Sequence, residues 1–276
     1  MTNEPHWSAG RTRVPQITIF FWIVKILTTA AGESTSDFLA HISPALVAAV
    51  GVVGLAIGLV IQFRMRRYVA WTYWFAVLMV AIFGTMAADV LHDGLKLGYM
   101  ESTIGFVVIL AIVFVWWYRA EGTLSIHSII NRRRETFYWI TVLVTFALGT
   151  AAGDMTASTL GWGYLKSGVI FTIVFAAIGV AYALLRGAFR ARDGSESLLS
   201  IGAFWLAYVF TRPLGASFAD WFGEPPQKQG LGYGDGTVTI VLLVLIALFV
   251  GYLQFSKVDV LDEEPVLVGV ERASAA

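Results

Sequence analysis

Cysteine is absent from this chain of 276 residues, which excludes disulfides and thiolate metal sites. Charged residues are also scarce, at 14% of the chain, whereas a soluble domain usually carries about 25%. This scarcity excludes an ordinary soluble enzyme and indicates a membrane protein. We find no nucleophile beside a base, no HExxH motif and no phosphate loop, so we do not expect an enzyme. The short arginine clusters lie beside apolar segments and do not predict nucleic-acid binding.

Eight apolar segments fill most of the chain, and most have a length close to the roughly 20 residues that span a bilayer as a helix. They do not alternate between polar and apolar residues as barrel strands would, so we expect an all-α polytopic membrane protein. The segments are roughly 16–38, 44–62, 68–90, 101–118, 136–157, 166–185, 197–221 and 236–256. A polar N-terminal tail, residues 1–15, and a C-terminal tail, 257–276, flank this membrane domain of 16–256, and we expect the C-terminal tail to be disordered.

A tryptophan, a glycine ten residues later and an aspartate five residues after that glycine recur four times in the sequence. The copies are Trp22-Gly32-Asp37, Trp74-Gly84-Asp89, Trp139-Gly149-Asp154 and Trp205-Gly215-Asp220. Such self-similarity predicts four repeats of two helices each, at about 16–67, 68–134, 135–196 and 197–256. Repeats with an even number of helices all have the same orientation, so we expect a pseudo-fourfold arrangement about the membrane normal.

The repeated aspartates are the main candidates for function, because acids within a membrane are rare and usually functional. We expect the repeat tryptophans to anchor in the lipid headgroups at one membrane interface. Fifteen residues of helix rise about 22 Å, so each tryptophan places its aspartate near the other interface. A ring of carboxylates selects cations, and a cation pathway is therefore predicted at Asp37, Asp89, Asp154 and Asp220. Glu33 joins them, because it shares a helix face with Asp37. In the alternative interpretation, the glycines only let helices approach and each aspartate caps local backbone.

Two cationic residues, Lys25 and Arg212, interrupt the first and seventh segments. We predict that both pair with intramembrane acids, as an ion pair or gate. The first and last repeats would be neighbours in a ring, so the expected partner of Arg212 is Glu33 or Asp37.

Secondary candidates lie after the aspartates of the later repeats. His92 and Asp93 share a face with Asp89 and would suit a divalent ion, although a solvated pair is the simpler interpretation. A Gly-Tyr pair precedes or begins three of the even-numbered helices, and its tyrosines are Tyr99, Tyr164 and Tyr233. Their hydroxyls could reach the carboxylates, or the rings could serve only as interface anchors.

Arginines cluster after the even-numbered segments, whereas the opposite side carries only Lys96, Lys166 and Lys228. The positive-inside rule then predicts that both termini are cytoplasmic.

Three segments resemble a bacterial family of multi-pass membrane proteins, built from four tandem repeats of unknown function with two helices and a tryptophan each. They are Lys25 to Asp37, Gly149 to Tyr164 and Thr211 to Asp220. The resemblance implies a bacterial inner-membrane protein and carries no activity.

From the residues themselves, we expect a transporter or channel that moves a divalent metal ion or protons, with the lipid bilayer and a small cation as partners. No cofactor is expected other than a bound cation, and a homo-oligomer is compatible with the sequence. The alternative is a membrane-embedded sensor or scaffold without transport activity.

Overall fold

The structure is a computed structural model that describes residues 12–185 and 198–260. These residues form eight long helices and no strand, as the all-α prediction requires. The helices are α1 (Ile19–Ile42), α2 (Pro44–Arg64), α3 (Ala70–Asp89), α4 (Tyr99–Glu121), α5 (Arg132–Asp154), α6 (Gly163–Leu185), α7 (Leu198–Gly223) and α8 (Asp235–Ser256). The tail predicted to be disordered lies outside the described residues from position 261 onwards.

Seven of these helices are long and apolar enough to cross a membrane, and they are α2 to α8. Helix α1 is the exception among the predicted eight. It carries Lys25, Glu33 and Asp37 together with a run of small and hydroxyl residues, and much of it is buried among the other helices. A helix surrounded by protein does not need the apolar surface that lipid demands.

The four odd-numbered helices form a closed inner ring in which α1 contacts α3, α3 contacts α5, α5 contacts α7, and α7 contacts α1. Each even-numbered helix packs outside the ring, mainly against the odd-numbered helix of the next repeat. Helix α2 packs on α3, α4 on α5, α6 on α7, and α8 on α1. The repeats are therefore interlocked, and the last one closes the ring against the first.

The repeat glycine is the point of closest approach between neighbouring ring helices. A Cβ added at Gly84 would lie 2.6 Å from the Cβ of Phe146. At the other three glycines an added Cβ would overlap the next ring helix in the same way: Gly32 meets Ala81, Gly149 meets Arg212, and Gly215 meets Thr29. Small residues let helix backbones approach closely, so this spacing fixes the same contact four times around the ring.

A belt of aromatic residues makes a second contact that recurs four times around the ring, nearer the N-terminal ends of the ring helices. The residue before each repeat tryptophan packs on the tryptophan of the next repeat, with ring centroids 5.7 to 6.1 Å apart. The pairs are Phe21–Trp74, Tyr73–Trp139, Tyr138–Trp205 and Phe204–Trp22. The expectation that these tryptophans anchor the protein in the lipid headgroups is wrong for Trp74, Trp139 and Trp205, which are buried in the core.

The two ends of the bundle differ in charge. We call one the arginine-rich end; its described arginines include Arg64, Arg66, Arg67, Arg119 and Arg132. The N-terminal segment 12–18 crosses this end, where backbone hydrogen bonds join it to the α2–α3 loop, the α4–α5 loop and the segment after α8. We call the opposite end, which carries the repeat aspartates, the acidic end.

The arginine-rich end is closed by buried polar contacts. Arg13 pairs with Glu135 at 2.5 Å, and Glu135 also accepts a hydrogen bond from Gln62. Tyr68 donates to Asp259 at 2.5 Å. Burial raises the pKa of the Asp259 carboxyl, and it also raises the pKa of the Tyr68 hydroxyl.

Candidate functional site

The four repeat aspartates line a single cavity of about 720 Å³ at the acidic end, which we call the vestibule. Glu33 lines it with them. The structure therefore brings together all five residues of the predicted cation pathway. This convergence is what the cation-pathway interpretation requires, whereas the close approach of helices at the repeat glycines is common to both interpretations.

The repeat spacing explains how the aspartates reach a common place. Asp89 and Asp154 end α3 and α5, and each is followed by a single π-helical turn, Val90–Gly94 or Met155–Thr159. Asp37 and Asp220 lie in the last turns of α1 and α7. Each aspartate is five residues beyond the glycine at which its helix contacts the next ring helix, so all four follow this contact at the same spacing and lie at the same end of the ring.

Three acids form the tightest cluster in the vestibule. Glu33, Asp37 and Asp220 each offer a carboxylate oxygen, and these oxygens lie within 4.8 Å of one another. Close carboxylates favour a shared proton or a bound cation. An all-oxygen donor set suits hard ions such as Mg²⁺, Ca²⁺ or Mn²⁺ better than ions that prefer nitrogen or sulfur.

Arg212 closes the inner end of the vestibule. It forms an ion pair with Glu33, one of the two acids predicted as its partner, and also donates to the hydroxyls of Thr85 and Thr150. These partners lie on α1, α3 and α5, the three other ring helices, so the guanidinium lies at the centre of the ring. It is fully buried, and Thr85 also donates to Glu33 at 2.9 Å.

Lys25 pairs with no acid among the residues that the structure describes, so that prediction is wrong. Its ammonium lies over two aromatic rings, 4.1 Å from the centroid of Phe146 and 4.2 Å from that of Tyr208. Within the described part of the chain it makes no hydrogen bond, and it is fully buried. A cation over an aromatic face is stabilised by the ring quadrupole, and here the rings replace the expected carboxylate.

The structure places some of the secondary candidates in the vestibule lining and others outside it. Tyr99 and Tyr164 line the vestibule, whereas Tyr233 does not and is 62% exposed. His92 also lies outside the lining, where it stacks on Tyr99 at 3.6 Å, and its Nδ1 lies 2.8 Å from the carbonyl oxygen of Leu97. His92 therefore stands beside the vestibule and not in its lining. The side chain of Asp93 lies outside what the structure describes.

Sequence reasoning missed the residues of the vestibule rim. Lys228 donates to Glu224 at 2.8 Å, and both line the cavity with Gln229. This hydrogen bond raises the pKa of the Lys228 ammonium above its ordinary value. His41 also lines the vestibule and lies 3.3 Å from the carboxylate of Asp235. Glu224 follows Asp220 by four residues, a spacing visible in the sequence. The others stand at loops and helix ends outside the repeat pattern, so the spacing did not mark them.

The chain has seven helices able to cross a membrane, four repeats interlocked in a ring and a vestibule lined by acids. These features define the class of multi-pass helical membrane proteins with internal repeats. Within it, the chain belongs to the family described as Repeat of Unknown Function (DUF347). Four matches to that family cover residues 20–68, 72–123, 137–188 and 203–259. Searches of curated proteins and of solved structures found no match to this chain.

Proposed function

We propose that the protein moves small cations across a membrane by way of the vestibule, with divalent metal ions or protons as the cargo. One observation carries the proposal: four aspartates from four separate repeats, with Glu33, line one cavity at the same end of the ring. Carboxylates held close together repel one another unless a proton or a cation offsets their charge. In this proposal the carboxylates are ligands for the cargo, and the chain is not an enzyme.

The buried cations favour a carrier over an open pore. Below the vestibule, Arg212 occupies the centre of the ring, and Lys25 lies closer to the arginine-rich end between the rings of Phe146 and Tyr208. A cation that passes through must displace the guanidinium from Glu33. Arg212 therefore acts as a gate: it neutralises Glu33 when no cargo is bound, and it is released when cargo replaces it. Repeats that rearrange around a fixed site are typical of alternating access.

The distribution of charge sets the orientation of the proposed carrier. Ten arginines follow the even-numbered segments in the sequence, so the positive-inside rule places the arginine-rich end and both termini in the cytoplasm. The vestibule then opens to the outside of a bacterial inner membrane.

The test is cation flux in proteoliposomes that contain the purified full chain. Wild-type protein should move protons or at least one of Mg²⁺, Ca²⁺ and Mn²⁺, and Asp37→Asn should reduce that flux at least tenfold, because it removes one charge from the triad of acids. Glu101→Gln is the matched control, since Glu101 is an exposed acid on α4 that does not line the vestibule.

Equal flux in wild-type protein and Asp37→Asn would overturn the proposal. An absence of flux for every cation, with the protein folded and correctly inserted, would support a membrane-embedded sensor or scaffold instead.

A further inference from the structure

A second cavity, of about 570 Å³, lies between α1, α6 and α7 and shares no lining residue with the vestibule. Its volume is in the range of roughly 300 to 1,000 Å³ that is typical of ligand pockets. Its lining includes Gln16, Trp22, His127, Phe175, Gly179 and Tyr182. We call this cavity the side pocket.

Comparison of the repeats explains why a pocket exists at this place. In the second repeat, Phe114 and Trp117 of α4 cover Trp205 of the inner ring, with centroid distances of 5.2 and 5.6 Å. Gly179 and Tyr182 stand at the same two positions of the third repeat, counted from its tryptophan. The ring residue that they should cover is Trp22, which lines the side pocket. The third repeat thus carries glycine at the position where the second repeat carries a phenylalanine that covers the inner ring.

The space at Gly179 is open. A Cβ added there would meet no atom within 4 Å, although the residue lies on a helix that packs against α7. Phe175 still contacts Trp22, with a centroid distance of 5.4 Å, and forms part of the apolar wall. Phe175 and Trp22 therefore form an aromatic wall of the side pocket, beside the open space at Gly179.

Polar and apolar groups are separated along the side pocket. Tyr182 lies in the last turn of α6 and Ser200 in the first turn of α7, and their hydroxyls are 3.2 Å apart. Gln16 and His127 come from the segments that cross the arginine-rich end. The polar lining is therefore at the arginine-rich end, and the apolar lining extends from there towards the middle of the bundle.

We propose that the side pocket binds an anionic phospholipid from the leaflet at the arginine-rich end. One acyl chain would lie along Phe175 and Trp22, and the phosphate would accept hydrogen bonds from Gln16 and His127. A ligand with a polar head and a single apolar chain matches this lining, and the membrane supplies such ligands directly. Arginines at this end attract anionic headgroups in the same leaflet. This site is distinct from the cation pathway, and its occupancy does not require that the protein transports anything.

The experiment measures phospholipid that remains bound to the full chain after a fixed detergent wash, by mass spectrometry of the extract. Vesicles of phosphatidylglycerol or phosphatidylcholine are then added back to delipidated protein, and the melting temperature is recorded. Wild-type protein should retain phosphatidylglycerol and melt at a higher temperature once this lipid is returned. Gly179→Leu fills the side pocket and should reduce retention at least fivefold and abolish the rise.

Gly105→Leu is the matched control. Gly105 is an exposed glycine on α4 where an added Cβ also meets no atom within 4 Å, so the variant should behave as wild type. Ala176→Leu is a second pocket-filling variant in case Gly179→Leu does not fold. His127→Ala should lower the preference for phosphatidylglycerol over phosphatidylcholine.

The proposal is overturned if folded pocket-filling variants retain as much phosphatidylglycerol as wild type. It is equally overturned if wild-type protein retains phosphatidylcholine just as well, or if the extract contains a non-lipid ligand that Gly179→Leu removes.

Discussion

Arg212 and Glu33 illustrate how far individual residues could be predicted. Charged groups within a membrane are costly unless they are paired, and the first and last repeats adjoin in a ring. The sequence therefore limited the partner of Arg212 to Glu33 or Asp37, and the structure pairs it with Glu33. The aromatic partners of Lys25 could not be predicted in the same way. Phe146 and Tyr208 lie on two other helices and resemble ordinary lipid-facing residues in the sequence. The buried tryptophans were misassigned for the same reason, since an interface preference does not identify the side of a helix that faces the core.

Removal of the arginine alone should leave Glu33 buried without its guanidinium partner. Breaking a buried ion pair in this way costs about 3–5 kcal/mol, so Arg212→Met should lower the thermal stability of the detergent-purified protein sharply. Arg212→Met combined with Glu33→Gln should recover most of the loss, because the uncompensated charge is gone. Melting temperatures of the two single variants and the double variant form the cycle that measures this coupling. Wild-type stability in Arg212→Met would contradict the role assigned to the pair.

At the scale of helices, the repeat glycines could be located from the sequence but their partners could not. Spacing alone indicates that Gly84 permits a close approach, whereas the structure identifies the neighbour as α5. Hydropathy also could not reveal that each even-numbered helix packs on the next repeat. A helix that is apolar all round carries no stripe to mark its partner, and α2, α4, α6 and α8 are apolar on every side.

Gly84→Ala tests whether the close approach holds the ring together. An added methyl would lie 2.6 Å from the Cβ of Phe146 and 3.3 Å from the backbone nitrogen of Ala147, and neither atom is the free end of a side chain. Overpacking of this kind costs typically 1–3 kcal/mol, which exceeds the gain of up to about 1 kcal/mol from alanine's helix propensity. Thermal unfolding should therefore show a loss for Gly84→Ala. Gly105→Ala, where the space is open, should show no loss; equal behaviour of the two would contradict the packing role.

At the scale of the whole molecule, the separation of charge between the two ends was visible in the sequence, whereas the cavity that the assembled ring forms was not. Counting arginines and aspartates assigns them to opposite ends, but only the ring turns four distant aspartates into the wall of one vestibule. The side pocket is also a property of the assembled ring. The missing side chain at Gly179 leaves a cavity because Trp22 of another repeat lies beside it.

The orientation of the chain can be measured cleanly because the protein contains no cysteine. Ser158→Cys places a thiol in the vestibule, and Arg66→Cys places one at the arginine-rich end; both positions are exposed. Because positive loops stay in the cytoplasm, a membrane-impermeant maleimide should label Ser158→Cys in intact bacterial spheroplasts and label Arg66→Cys only after permeabilisation. The cysteine-free parent should give no signal in either case. The reverse pattern would make the vestibule open to the cytoplasm, so that the proposed carrier would load its cation from inside the cell.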